Sequence, residues 1–189
     1  MPLQPVTDLS VADFFVDSSA DWWTVALMGP PGFEAYARVW FCLDADDEHY
    51  VDDTEVLDRV RQVLMRHTSS TTAFFGFWEG SGYLDGHPAE ALMTQPARLH
   101  LFDGARPHSG LSVRSYHLLT GAIDDADAWS SAGALHLAWP TDRSWFLAED
   151  VDPDWIGIGG SRAVIDELLA HPDLDARPSA HVADDWESP

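Results

Sequence analysis

Apolar side chains at Val56, Leu57, Val60, Val63 and Leu64 recur at the three-and-four spacing that puts them on one stripe of an α-helix. Asp52, followed three residues later by Glu55, supplies a capping pattern for that helix, and the polar run His67-Thr68-Ser69-Ser70 ends it. A second stripe, Val164, Ile165, Leu168 and Leu169, predicts a helix that opens at Ser161 and stops before Pro172. Ser10, three residues ahead of Asp13, predicts a short helix near the N-terminus.

Elsewhere the pattern is that of strands. Residues 22–27 (Trp-Trp-Thr-Val-Ala-Leu) and 35–41 flank a Gly-Pro-Pro-Gly centre, which predicts a hairpin with a longer loop. Further strands are predicted at 71–78, 98–102, 113–119, 135–138, 145–148 and 155–158, and residues 81–96 read as a loop with one helical turn. Hairpin-length connections dominate and βαβ repeats are missing. The expected fold is therefore α+β, a mostly antiparallel sheet of six to eight strands with two or three helices packed on one face. One domain is expected over residues 1–178. The stretch from Asp173, rich in Pro and Asp, reads as loosely ordered, with residues 179–189 as an acidic tail.

Composition supports a packed core: 46% of the 189 residues are hydrophobic, with nine Trp and nine Phe, too apolar for a disordered acidic chain. Charge changes the picture more. Asp and Glu number 32 against 10 basic residues, for a formal net charge of −22, and every basic residue is Arg. A field of that sign repels nucleic acid and anionic lipid and attracts basic proteins and metal cations. Lys and Asn, both encoded by A-rich codons, are absent, which points to a high-GC genome. A salt-loving host would produce a similar surface, so solubility is a second reading of the same charge. The single Cys42 lies in an apolar run with no cationic neighbour to activate it and reads as a small buried hydrophobe. With no signal peptide and no apolar stretch of membrane-spanning length, a cytoplasmic location is expected.

Candidate chemistry is sparse. The loop Asp44 to Glu55, counted as a twelve-residue calcium loop, places Asp44, Asp46, Glu48, Asp52 and Glu55 at positions one, three, five, nine and twelve. His49 stands where the sharp turn wants Gly, so a solvated loop capping the next helix competes with calcium as the reading. Asp150-Val151-Asp152-Pro153-Asp154 alternates similarly but lacks the terminal acid. The Gly-rich turn before Ser161 has neither dinucleotide nor P-loop spacing and no Lys, so it reads as a tight turn. The nine His show no paired ligand spacing, and no nucleophile elbow is present.

The segment from Trp139 to Trp145 stands apart, because Asp142 and Arg143 occupy a turn between strands that each present a Trp. It reads either as an aromatic-clamped hairpin or as a partner- or ligand-facing patch, with Glu34, Arg38, Arg114 or Glu79 as convergent polar groups. Residues 32–38 (Gly-Phe-Glu-Ala-Tyr-Ala-Arg), the Trp139–Trp145 segment and Gly159-Gly160-Ser161 resemble a group of uncharacterised actinobacterial proteins. Phe77-Trp78-Glu79-Gly80 and Tyr116-His117-Leu118-Leu119 are similar to stretches of that group, and the likeness spans residues 20–178. It implies no activity, cofactor or catalytic residue.

The leading expectation is a non-catalytic acidic protein that engages a basic protein surface, as immunity proteins or inhibitors do, with no cofactor, no nucleic acid and no membrane. Two alternatives stand beside it. One is a small enzyme or ligand-binding domain with a pocket near the Trp139–Trp145 turn, using Trp139, Asp142, Arg143, Trp145, Glu34 and Arg38. The other is a calcium-stabilised domain.

Overall fold

A computed structural model describes residues 2–41, 53–93, 99–101, 113–129 and 134–182. In chain order these form β1 (Gln4–Pro5), a 3-10 turn (Leu9–Ala12) leading into α1 (Asp13–Val16), α2 (Trp22–Met28), β2 (Ala35–Trp40) and α3 (Asp53–Arg66). Then come β3 (Thr72–Trp78), 3-10 turns at Gly82–Leu84 and Glu90–Leu92, β4 (Leu99–Leu101), β5 (Arg114–Ala122), β6 (Leu137–Pro140), β7 (Trp145–Ala148), β8 (Trp155–Gly160), α4 (Arg162–Ala170) and β9 (Asp175–Ser179).

All nine strands join one antiparallel sheet, in the order β1-β5-β3-β6-β7-β8-β2-β9, with β4 beside β1 on the same edge of β5. The fold is thus α+β with an antiparallel sheet, one strand larger than the upper expectation. Its middle is the meander β6-β7-β8, whose short connections follow from the turn residues at 141–144 and 149–154. Among the described residues no helix is long and apolar enough to cross a membrane.

The helices cover both faces of the sheet, which corrects the expectation of one face. The apolar stripe of α3 (Val56, Leu57, Val60, Val63, Leu64) and the inner face of α4 share one cluster with Phe75, Phe77, Trp145, Leu147 and Ile158. An isolated helix of α3's length is marginal, so burial of that stripe, roughly 1.5–3 kcal/mol per side chain, holds it in place. On the other face Phe15 of α1 and Val25 and Ala26 of α2 pack with Tyr116, Leu137, Trp139 and Phe146. Covered twice, β6, β7 and β8 are buried at every position, which is why they read as unbroken apolar runs.

The missing face traces to residues 22–27, expected as a strand and found in α2. Trp, Thr and Val are strand formers, and their propensity is overridden here by a cap and by packing. The Asp21 carboxylate accepts from the Thr24 backbone N–H (3.0 Å) and the Thr24 hydroxyl (2.6 Å), which starts the helix. Gly29, at φ +74°, ends it. The expected 22–41 hairpin therefore does not exist, and β2 pairs instead with β8 and β9.

Residues 175–179, expected to be loose, are the edge strand β9, hydrogen-bonded to β2. Pro178, Asp175 and Arg177 on this edge, and Pro5 at the other, discourage pairing with a further chain.

α2 lies unusually close to the sheet. A Cβ on Gly157 would sit far inside contact distance of the Leu27 carbonyl oxygen, with the Met28 backbone beside it. Neither neighbour can rotate away, since both are backbone. Gly157→Ala is therefore expected to destabilise the fold by about 2 kcal/mol or more, whereas Gly82→Ala, which meets nothing, changes stability by a few tenths at most. Urea unfolding of the two variants checks this; equal midpoints would show that α2 does not seat on β8.

Candidate functional site

The turn between β6 and β7 does not form an aromatic patch. Trp139 and Trp145 are fully buried and belong to the clusters on opposite faces of the sheet. Trp139 stacks on Phe146 (5.2 Å between centroids, 9° between planes), and its indole N–H, like that of Trp145, meets no acceptor among the described residues. Neither indole can face a partner. Asp142 serves the turn itself: one carboxylate oxygen accepts from the Thr68 hydroxyl (2.8 Å) and Ser69 N–H (3.0 Å), the other from Ser144 N–H (3.1 Å). Burial opposes its ionisation, but those hydrogen bonds together hold its pKa far below the ordinary carboxylate range. Arg143 takes φ +53°, stacks 4.3 Å over Phe14 and donates to the Val11 carbonyl at 3.4 Å. The segment is an aromatic-clamped hairpin.

The strand registers separate the polar groups expected to converge there. Glu34 accepts from Arg162 N–H (2.9 Å) at the start of α4, at the same end of the sheet as the turn. Arg114 and Glu79 lie at the opposite end, beyond the pairing of Trp78 with Tyr116. Arg38, only 6% exposed, stacks 4.4 Å over Trp155 and donates to the Val182 carbonyl at 2.9 Å.

Of the calcium candidates, Asp44, Asp46, Glu48 and Asp52 fall outside the described residues, as does Cys42. Glu55 lies in the first turn of α3, where Arg59 donates to it at 2.6 Å. Among the described residues no group of three or more His, Cys, Asp or Glu could hold a metal ion.

What the fold does assemble is at the far end of the sheet, on the face that α2 covers. Trp40 and Trp155 are register partners with ring centroids 6.3 Å apart. Arg177 lies 5.3 Å over Trp40, and Arg114 lies 4.3 Å over Trp78 and 5.6 Å over Trp22. Trp22 and Trp23, the first residues of α2, meet edge to face at 5.3 Å, and Trp23 packs against the cluster that contains Trp155. The result is two sets of stacked groups at this end, Trp22, Trp23 and Trp78 with Arg114, and Trp40 and Trp155 with Arg38 and Arg177, both bordering the cluster that holds Trp155. Trp22, Trp23, Trp40 and Trp78 are each half-buried.

At the centre of this end is a polar core. Asp150, 3% exposed, accepts two hydrogen bonds at 3.0 Å from Nε and Nη2 of Arg114. Burial works against the charge on Arg114, but the bonds and charge of Asp150 outweigh it, and its pKa is raised. Tyr116, fully buried beside the pair, has its pKa pushed far up by burial and by the Asp150 carboxylate. His136 is 1% exposed; its Nδ1 lies 2.8 Å from the Ala134 carbonyl and 3.3 Å from Trp78 N–H. The shorter contact identifies Nδ1 as the donor, which leaves Nε2 a bare acceptor without a partner among the described residues. Burial pushes its pKa down to about 4.

Arg114 was expected near a different turn and Asp150 only within an alternating acidic run; their pairing and the half-buried indoles were not singled out. The available signal was Trp beside an acid at three predicted strand ends, Asp21-Trp22, Trp78-Glu79 and Asp154-Trp155. Scans against family models, curated proteins and solved structures each returned no match, so the chemistry rests on these residues alone.

Removing one member of the buried pair strands the other. Asp150→Asn is expected to cost about 3 kcal/mol in urea unfolding, and Arg114→Met combined with Asp150→Leu to recover most of that loss. A single variant as stable as the parent would show that the pair is solvated. His136 also links stability to pH. Its folded pKa lies below the unfolded value near 6.5, so its contribution is complete above pH 6.5 and is lost as pH falls toward 4. Burial lowers His87 and His117 as well, so each contributes a loss of the same sign as pH falls below 6.5. Stability is expected to fall by on the order of 3 kcal/mol between pH 7 and 4 on the account of His136. His136→Leu should flatten part of that slope, and an unchanged slope would mean that its ring is accessible to solvent protons.

Proposed function

We propose that the chain is a non-catalytic, cytoplasmic acidic protein that acts by binding a basic protein surface, in the manner of an immunity protein or inhibitor. What supports this reading is the way its few cations are spent. Arg59, Arg61, Arg66, Arg114 and Arg177 pair with Glu55, Asp58, Glu167, Asp150 and Asp175, and Arg38 and Arg143 stack on rings and bond to carbonyls. Seven of the eight arginines among the described residues are therefore engaged within the molecule. The remaining carboxylates, on a chain of net charge −22, set the outward field. Such a field accelerates encounter with a cationic partner and weakens as salt rises.

The test is capture from the native host at low salt, with an unrelated protein of matched size and negative charge as control. A partner held by this chain, not held by the control, and released by raising the salt is the expected result. Identical proteins on both, or retention unaffected by salt, would overturn the reading.

A further inference from the structure

We infer that the tryptophan-rich end of the sheet is the docking surface, and that it takes an arginine-rich segment of the partner. The inference rests on the proposed binding of a basic protein, and it names the surface and the chemistry of the contact.

Four half-buried indoles, Trp22, Trp23, Trp40 and Trp78, come from three separate elements and lie at one end of one face. The described tryptophans elsewhere, Trp129, Trp139 and Trp145, are buried in the core. Large aromatic groups left partly exposed in one place are what a recognition surface presents. The ring chemistry is already in use: three of the chain's own guanidinium groups lie 4.3–5.6 Å from these indoles or from Trp155 between them. A guanidinium is planar and weakly hydrated enough to stack on indole surface that stays in contact with solvent.

Charge complements the rings. Asp152 and Asp154 are exposed in the β7–β8 turn, and Phe41 N–H donates to the Asp154 carbonyl at 2.8 Å, which places that turn against the end of β2 beside Trp40. Glu79, also exposed, follows Trp78 directly. Asp150 is occupied by Arg114, so the stacked cation nearest the centre is neutralised and does not repel an incoming one. A partner's arginine would find an indole face and a solvated carboxylate together. A lysine would find the carboxylate but gain less from the ring.

The test titrates polyarginine and polylysine peptides of equal length into the full chain at low salt, followed by indole fluorescence. Asp152→Ser/Asp154→Ser at the proposed surface is compared with Asp124→Ser/Asp166→Ser, exposed elsewhere, so that both variants lose the same charge. Polyarginine is expected to bind at least fivefold more tightly than polylysine. The first variant should weaken polyarginine binding about tenfold and the second less than twofold. Equal affinity for the two peptides, or equal weakening by the two variants, would overturn the docking surface while leaving the attraction to basic partners intact. Failure of both peptides to bind would remove the proposed function itself.

Discussion

A sheet buried on both sides needs two helical layers, and in this chain the second layer depends on how closely α2 can approach β8. Gly157 permits the contact because it offers no Cβ to the Leu27 carbonyl. Gly29 permits the exit because its positive φ and missing side chain let the helix end against Phe146. With α2 in place, Val25 and Ala26 close the core over Trp139 and Phe146, and the helix start delivers Trp22 and Trp23 to the end of the sheet. The packing constraint and the candidate surface are thus two ends of the same short helix.

That coupling explains which parts of the molecule were legible in the sequence. α3 and α4 were read correctly because each has one polar face, so periodicity marks the apolar one. Strands β3 and β6 to β8 were legible for the opposite reason, as short apolar runs between turn residues. α2 fails both tests. Five of its seven residues are buried, so no polar face marks its period, and its strand-forming residues supply the wrong prior. Only Asp21, three residues before Thr24, carried the right signal. β9 was missed because Pro, Asp and Arg are what an edge strand uses to avoid aggregation, and the same residues read as disorder.

The site was less legible than the fold, and for a geometric reason. Trp139 and Trp145 look like a pair in sequence because a short turn separates them. Their even separation of six would put them on one side of a continuous strand, but the turn reverses the chain and sends them to opposite faces. Trp40, Trp78 and Trp155 look unrelated because long stretches of chain separate them. Antiparallel pairing brings their strand ends together. Nearness along the chain was the misleading signal, and sheet register the decisive one.

The same register reconciles the stability of the fold with its charge. A net charge of −22 opposes compaction through mutual repulsion, and the chain has only ten cations to offset it. Among the described residues, two of them join separate elements. Arg66 joins α3 to Glu167 of α4, and His67 reaches the same carboxylate at 2.5 Å, tying together the two helices of one face. Arg114 joins β5 to Asp150 across the sheet end, under α2. Exposed pairs such as Arg177 with Asp175 contribute little individually, but they keep the cation beside the indole it covers. Arginine suits this double use and lysine does not, because one planar group can bond a carboxylate at its edge while its face rests on a ring. In a chain without lysine, the residue that offsets internal repulsion is also the one that shapes the aromatic surface.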